Sequence, residues 1–152
     1  MSDFRRLASA CVFALAAVST AAHGQQAAPC PSLPADAELA WQRLDGAGFT
    51  FCKAVPVAGG EPVFSVTLSR ESTFKPRRGD RLQQAVVDGH PVHWYRGEVS
   101  GAQAVEVRET LVELSPQQQA HISLRASSDE SLATALRLAE SLRFDDPRFS
   151  SN

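Results

Sequence analysis

Between residues 86 and 99 the chain reads VVDGHPVHWYRGEV, which places His90, His93, Trp94, Tyr95 and Arg96 within seven positions. Imidazole moves protons near neutral pH and ligates transition metals, so a histidine-based hydrolase or a metal centre is the chemistry such a cluster would serve. His121 offers a third imidazole further along. The spacing argues against cooperation. In an extended chain an odd offset reverses the side chain, so His90 and His93 point to opposite faces. Two histidines without an adjacent carboxylate make a weak ligand set. There is no G-x-S-x-G elbow and no C-x-x-C pair. Glu106, Glu109 and Glu113 fall on a strand that alternates with valine, and Asp145-Asp146 precedes a proline; neither arrangement offers the apolar surroundings that make a general acid. No catalytic residue, metal ligand or cofactor is assigned, and an enzyme using the hairpin histidines is the alternative reading.

A second chemical feature lies just upstream. SRESTFKPRRGDR, residues 69 to 81, carries Arg70, Lys75, Arg77, Arg78 and Arg81 against Glu71 and Asp80, with Phe74 at its centre. Loops on rigid scaffolds are where recognition residues concentrate, and an excess of positive charge selects acidic surfaces. Lys75, Arg77, Arg78 and Arg81, with His93 and Tyr95 on the neighbouring hairpin, are the expected partner-binding residues. Arg78-Gly79-Asp80 is ordinary turn chemistry.

The elements that must hold these residues are mostly strands. Asp88-Gly89 between two β-rich runs signals a two-residue type I′ hairpin, because both central positions must accept positive φ. That turn sets Val87 opposite His90, Ala85 opposite Val92, Gln84 opposite His93 and Leu82 opposite Tyr95. Val87, Val92 and Trp94 then face a core. Phe64, Val66 and Leu68 alternate with polar residues, as do Ala120, Ile122 and Leu124, so each run is a strand with one dry face. Ala37, Ala40, Trp41 and Leu44 stand at helical spacing and predict a short helix from about 35 to 44. Leu132, Ala135, Leu136, Ala139 and Leu142 form a longer stripe behind a capping box at Ser127 and Glu130. The expected fold is α+β: an antiparallel meander sheet of about six strands, with the short N-terminal helix and a C-terminal helix packed on one face.

The chain of 152 residues begins with Arg5-Arg6, an apolar run from Leu7 to Ala22 and a small-residue exit, which is the pattern of a secretory signal over 1–24. An extended leader over 25–34, a single domain over 35–144 and a flexible tail over 145–152 complete the expected organisation. Signal removal takes Cys11 and leaves Cys30 and Cys52, an even pair suited to one disulfide in an oxidising compartment. It also leaves 13 basic against 16 acidic side chains, a balance that excludes general nucleic-acid binding. No stable membrane anchor is expected after cleavage. The resulting expectation is a periplasmic or secreted noncatalytic binding protein, of inhibitor or immunity type, that engages a protein partner through the basic loop 70–81. A structural or lipid-contacting envelope protein is a further alternative.

Overall fold

Seven runs of extended chain lie side by side in a computed structural model that describes residues 28–99 and 105–144. The expected signal segment 1–24 and tail 145–152 lie outside the described residues. The strands are β1 (Leu39–Gly46), β2 (Phe49–Pro56), β3 (Phe64–Ser69), β4 (Arg81–Val87), β5 (His90–Arg96), β6 (Glu106–Ser115) and β7 (Gln118–Ala126), followed by one helix, α1 (Asp129–Glu140). They form one sheet in the order β1-β2-β3-β7-β6-β5-β4, with every neighbouring pair antiparallel.

This order departs from a simple meander at one place. β7 inserts beside β3, so the chain leaving β3 must travel to the far edge to begin β4. Four antiparallel steps separate those strands, which makes them parallel to each other. At about 4.8 Å per step the connection crosses roughly 19 Å of sheet. Residues 70–80 are long enough to do so, at about 3.3 Å per residue.

The Asp88-Gly89 turn forms as expected, with φ of 48° and 79° at its two central residues. Val87 pairs with His90, Val86 with Pro91, Ala85 with Val92 and Gln84 with His93. Beyond Gln84 the register shifts, and Arg81 rather than Leu82 stands opposite Tyr95. A bulge at Leu82-Gln83 inserts the extra residue and twists this edge of the sheet.

One face of the sheet carries the core. Cys52, Ala54, Phe64, Val66, Leu68, Val87, Val92, Trp94, Val112, Ala120, Ile122 and Leu124 are buried there with Ala135, Leu138, Ala139 and Leu142 of the helix and its exit. α1 packs against β7 and β4, covering the strands between them. Its N-cap is Ser128, whose hydroxyl accepts from Ser131 N at 3.2 Å while Ser131 Oγ accepts from Ser128 N at 3.1 Å. The box thus lies one residue later than the expected Ser127–Glu130 pair, with serine in the reciprocating position. Past α1, Phe144 N donates to Asp88 Oδ2 at 2.8 Å, which ties the helix exit to the β4–β5 turn.

The expected helix over 35–44 does not form. Residues 39–46 are β1, the seventh strand, paired with β2 without a break in register. Its apparent helical spacing was coincidental: Trp41 turns inward, whereas Ala40 and Leu44 are exposed. The β1–β3 half of the core is covered instead by the leader. Cys30 is disulfide-bonded to Cys52 of β2, with Cα atoms 5.8 Å apart. Pro31 is buried and its carbonyl accepts from Trp41 Nε1 at 2.7 Å, and Trp41 meets the Phe64 ring edge-on at 5.8 Å. Ser32 then bridges Arg143 in both directions, N to O at 2.7 Å and O from N at 3.3 Å. A disulfide of this kind persists in oxidising compartments.

Candidate functional site

The face opposite α1 is where the polar members of each strand collect. The cross-strand register places Ser65, Ser123 and Glu109 in one row with Tyr95 and Arg81, and Thr67, His121 and Leu111 in the next. By the same register His93 lies beside Leu111, on the strand flanking β6 opposite β7. His93 and His121 therefore share a face but stand two strands apart, about 10 Å. His90, at an odd offset from His93 at the start of β5, nevertheless lies close enough to it that both line one cleft. Among the described residues no three histidine, cysteine or acidic side chains converge as a metal-holding group.

The connection from β3 to β4 lies across this face as a strap. Its path is fixed at two points. Ser72 is buried, and its backbone N–H donates to the Gln119 side-chain oxygen on β7 at 3.0 Å, while its hydroxyl accepts from Phe74 N at 3.0 Å. Phe74 then stacks on His121, with ring centroids 4.8 Å apart and planes 4° from parallel. It also meets Tyr95 edge-on at 5.9 Å. One aromatic ring thus bridges β7 and β5 over the middle of β6. Each such contact contributes about 1 kcal/mol beyond its buried area, enough to hold the strap in one conformation.

His121 is held from below as well. Its Nε2 lies 3.0 Å from Glu109 Oε1, and both side chains are mostly shielded from solvent. This contact and the Phe74 stack together fix the plane of the His121 ring. The Glu109–His121 pair is thus accounted for as a floor for the strap.

Beyond Phe74 the strap leaves a cleft of about 400 Å³, lined by Pro76, His90, Pro91, Val92, His93, Tyr95, Leu111 and Glu113. A space of this size accepts a side chain or a small ligand. The expected partner-binding residues divide around it. His93 and Tyr95 are half-buried in its wall. Arg77 and Arg78 are exposed where the strap enters the short 3-10 turn Arg78–Asp80, and Arg81 is exposed opposite Tyr95 at the start of β4. Lys75 is exposed and pairs with Glu71 at 3.4 Å. Among the described residues no carboxylate lies within ion-pair distance of Arg77, Arg78 or Arg81.

Several residues of this arrangement carry no signal in the sequence. Ser72, Pro76, Leu111 and Gln119 acquire their roles only because β7 sits between β3 and β6. The Phe74 position is different: a lone aromatic inside a polar, basic loop is a legible sign that the loop docks on something. Compared with known proteins, the chain matches no family model, no curated protein and no solved structure, so its function is read from its own geometry.

Proposed function

We propose that the chain is an exported, noncatalytic binding module of the periplasm or secreted space, which captures an acidic protein through the strap and the adjoining cleft. One observation carries this reading. Arg77, Arg78 and Arg81 are exposed, without carboxylate partners among the described residues, on a connection immobilised at Ser72 and Phe74. A solvated loop has no need of such anchorage. Pre-ordered cations lose little conformational entropy on binding, and positive charge on a rigid ridge steers an acidic partner during encounter. The Cys30–Cys52 bridge fits an oxidising destination. An inhibitor or immunity-type module is the kind of protein that works in this way, by occupying a partner rather than transforming it.

The test is the double substitution R77E/R78E, with F74A as its companion. Both arginines lie on the surface, so charge reversal should leave the melting temperature within about 1 °C of wild type, as for surface substitutions generally. Affinity for the partner isolated from the envelope extract is expected to fall by about tenfold or more, and its salt dependence to flatten. F74A retains the charges but frees the strap, and it should weaken capture by the cost of ordering it again. If the retained partner is the same in identity and amount after charge reversal, the strap is not the binding element. Retention of the double variant by anionic vesicles instead of protein would likewise count against this reading.

A further inference from the structure

The two edges of the sheet are built differently. β4 is interrupted by the bulge at Leu82-Gln83, a device that twists an edge out of reach of another strand. β1 has no such bulge, and its two charges, Arg43 and Asp45, are of opposite sign. It runs eight residues, Leu39–Gly46, in unbroken register with β2, holds no proline or lysine, and exposes Leu44 to 62%. Among the described residues nothing pairs with its outer side.

The phase of the outer side follows from the inner one. Val57 N donates to Glu38 O at 2.8 Å, and the two-residue turn after Gly46 closes on Phe49. Glu38, Ala40, Gln42, Leu44 and Gly46 therefore spend their backbone groups on β2, and Leu39, Trp41, Arg43 and Asp45 direct theirs outward. A second strand can join only in registers that match this alternation. For a second copy of β1 in antiparallel orientation, the register centred on Arg43 sets two arginines face to face. The register centred on Leu44 sets Arg43 opposite Asp45 of the other copy, twice by symmetry, and brings the two exposed leucines together on the open face. Arg43 and Asp45 already lie 3.0 Å apart within one strand, so both charges are held on the same side of the sheet.

We propose that two copies of this chain associate through β1, antiparallel and centred on Leu44, to make one continuous sheet across a two-fold axis. The pairing satisfies the outward amides and carbonyls of Arg43 and Asp45, exchanges two ion pairs and covers Leu44, as a self-complementary contact requires. It leaves the strap and the cleft free on both copies, because these lie at the opposite end of the sheet.

Sedimentation of the disulfide-bonded chain over roughly 1–100 μM, a range that spans weak reversible association, tests this, and a concentration-dependent dimer is the expected result. R43D and D45R should each raise the dimer dissociation constant by about tenfold or more, because each turns two attractions into two repulsions. Mixed in equal amounts, the two variants should recover dimers containing one chain of each, since one chain then carries two acidic and the other two basic side chains at these positions. Far-UV circular dichroism confirms that each is folded. If either is not, L44K decides, as it places like charges at the axis without disturbing a buried contact. A wild-type chain that stays monomeric throughout, single variants that dimerise as well as wild type, or a mixture that remains monomeric would each overturn the proposal.

Discussion

Replacing Trp94 by alanine is expected to lower the unfolding free energy by about 4 kcal/mol, seen as a fall in melting temperature of roughly 15 °C. Trp94 is fully buried, and it is the largest of the fully buried side chains. It stands on β5 beneath the helix, among Val87, Val92 and Val112 of the same core. Removing the indole leaves a cavity that a sheet cannot close, because strands on both sides hold β5 in place. The substitution has a second consequence. Trp94 Nε1 donates to Glu140 Oε1 at 2.8 Å, which ties the last turn of α1 to β5, next to the β4 edge of the sheet. W94F retains most of the volume and removes only this bond, so it should cost about 1–2 kcal/mol. Urea unfolding of both variants separates the packing from the bond. A loss below about 1.5 kcal/mol for W94A would mean that α1 does not depend on this residue for its seat.

The paired substitution C30S/C52S is expected to cost about 3 kcal/mol from the freed loop alone. Its effect is unequal across the sheet. The disulfide holds the leader over Trp41, Cys52, Ala54 and Phe64, and among the described residues no helix covers that half. Releasing it should raise amide exchange in β1 and β2 well before β5 and β6. An even loss of protection over all seven strands would show that the leader is an ornament on a core already closed.

What could be read from the amino acids divides along the distance over which each feature is determined. The Asp88-Gly89 turn and the pairings from Val87–His90 to Gln84–His93 are local, decided by two residues that tolerate positive φ. The alternation of Phe64, Val66 and Leu68, and of Ala120, Ile122 and Leu124, is likewise local, and all six are buried. The Cys30–Cys52 bridge followed from arithmetic. The order of the strands did not, because nothing in β7 itself states that it will lie between β3 and β6. Without that order the basic segment reads as a projecting loop, and only with it does it become a strap with Phe74 laid on His121. The mistaken helix at 35–44 has the opposite origin. An edge strand with only two inward side chains, Leu39 and Trp41, carries too little alternation to outweigh a chance helical spacing, and pairing with β2 overrides local propensity. The slip at Leu82 is of the same kind, since a bulge leaves no mark in composition.

Of the residues expected at a binding site, His93 and Tyr95 line the cleft while Arg77, Arg78 and Arg81 rim the strap beside it, so the geometry groups them even though their role awaits the charge-reversal experiment. The two histidines that first drew attention stand at an odd offset on β5, yet both line the cleft, which strict strand alternation does not foresee.

The bridge between Ser32 and Arg143 bears on how such a chain is made. It joins the first described segment to the last, so the leader, already fastened to β2 by the disulfide, gains its contact with the far end of the domain only once residue 143 has been synthesised. β3 likewise has β2 on one side but lacks its second neighbour until β7 arrives. The consecutive strands β1–β2–β3 and β4–β5 can each pair as they emerge, but the sheet that joins them is complete only when β7 fills the gap between β3 and β6. Closure of the sheet is thus a late, long-range event, and the segment after α1 fastens the leader in place.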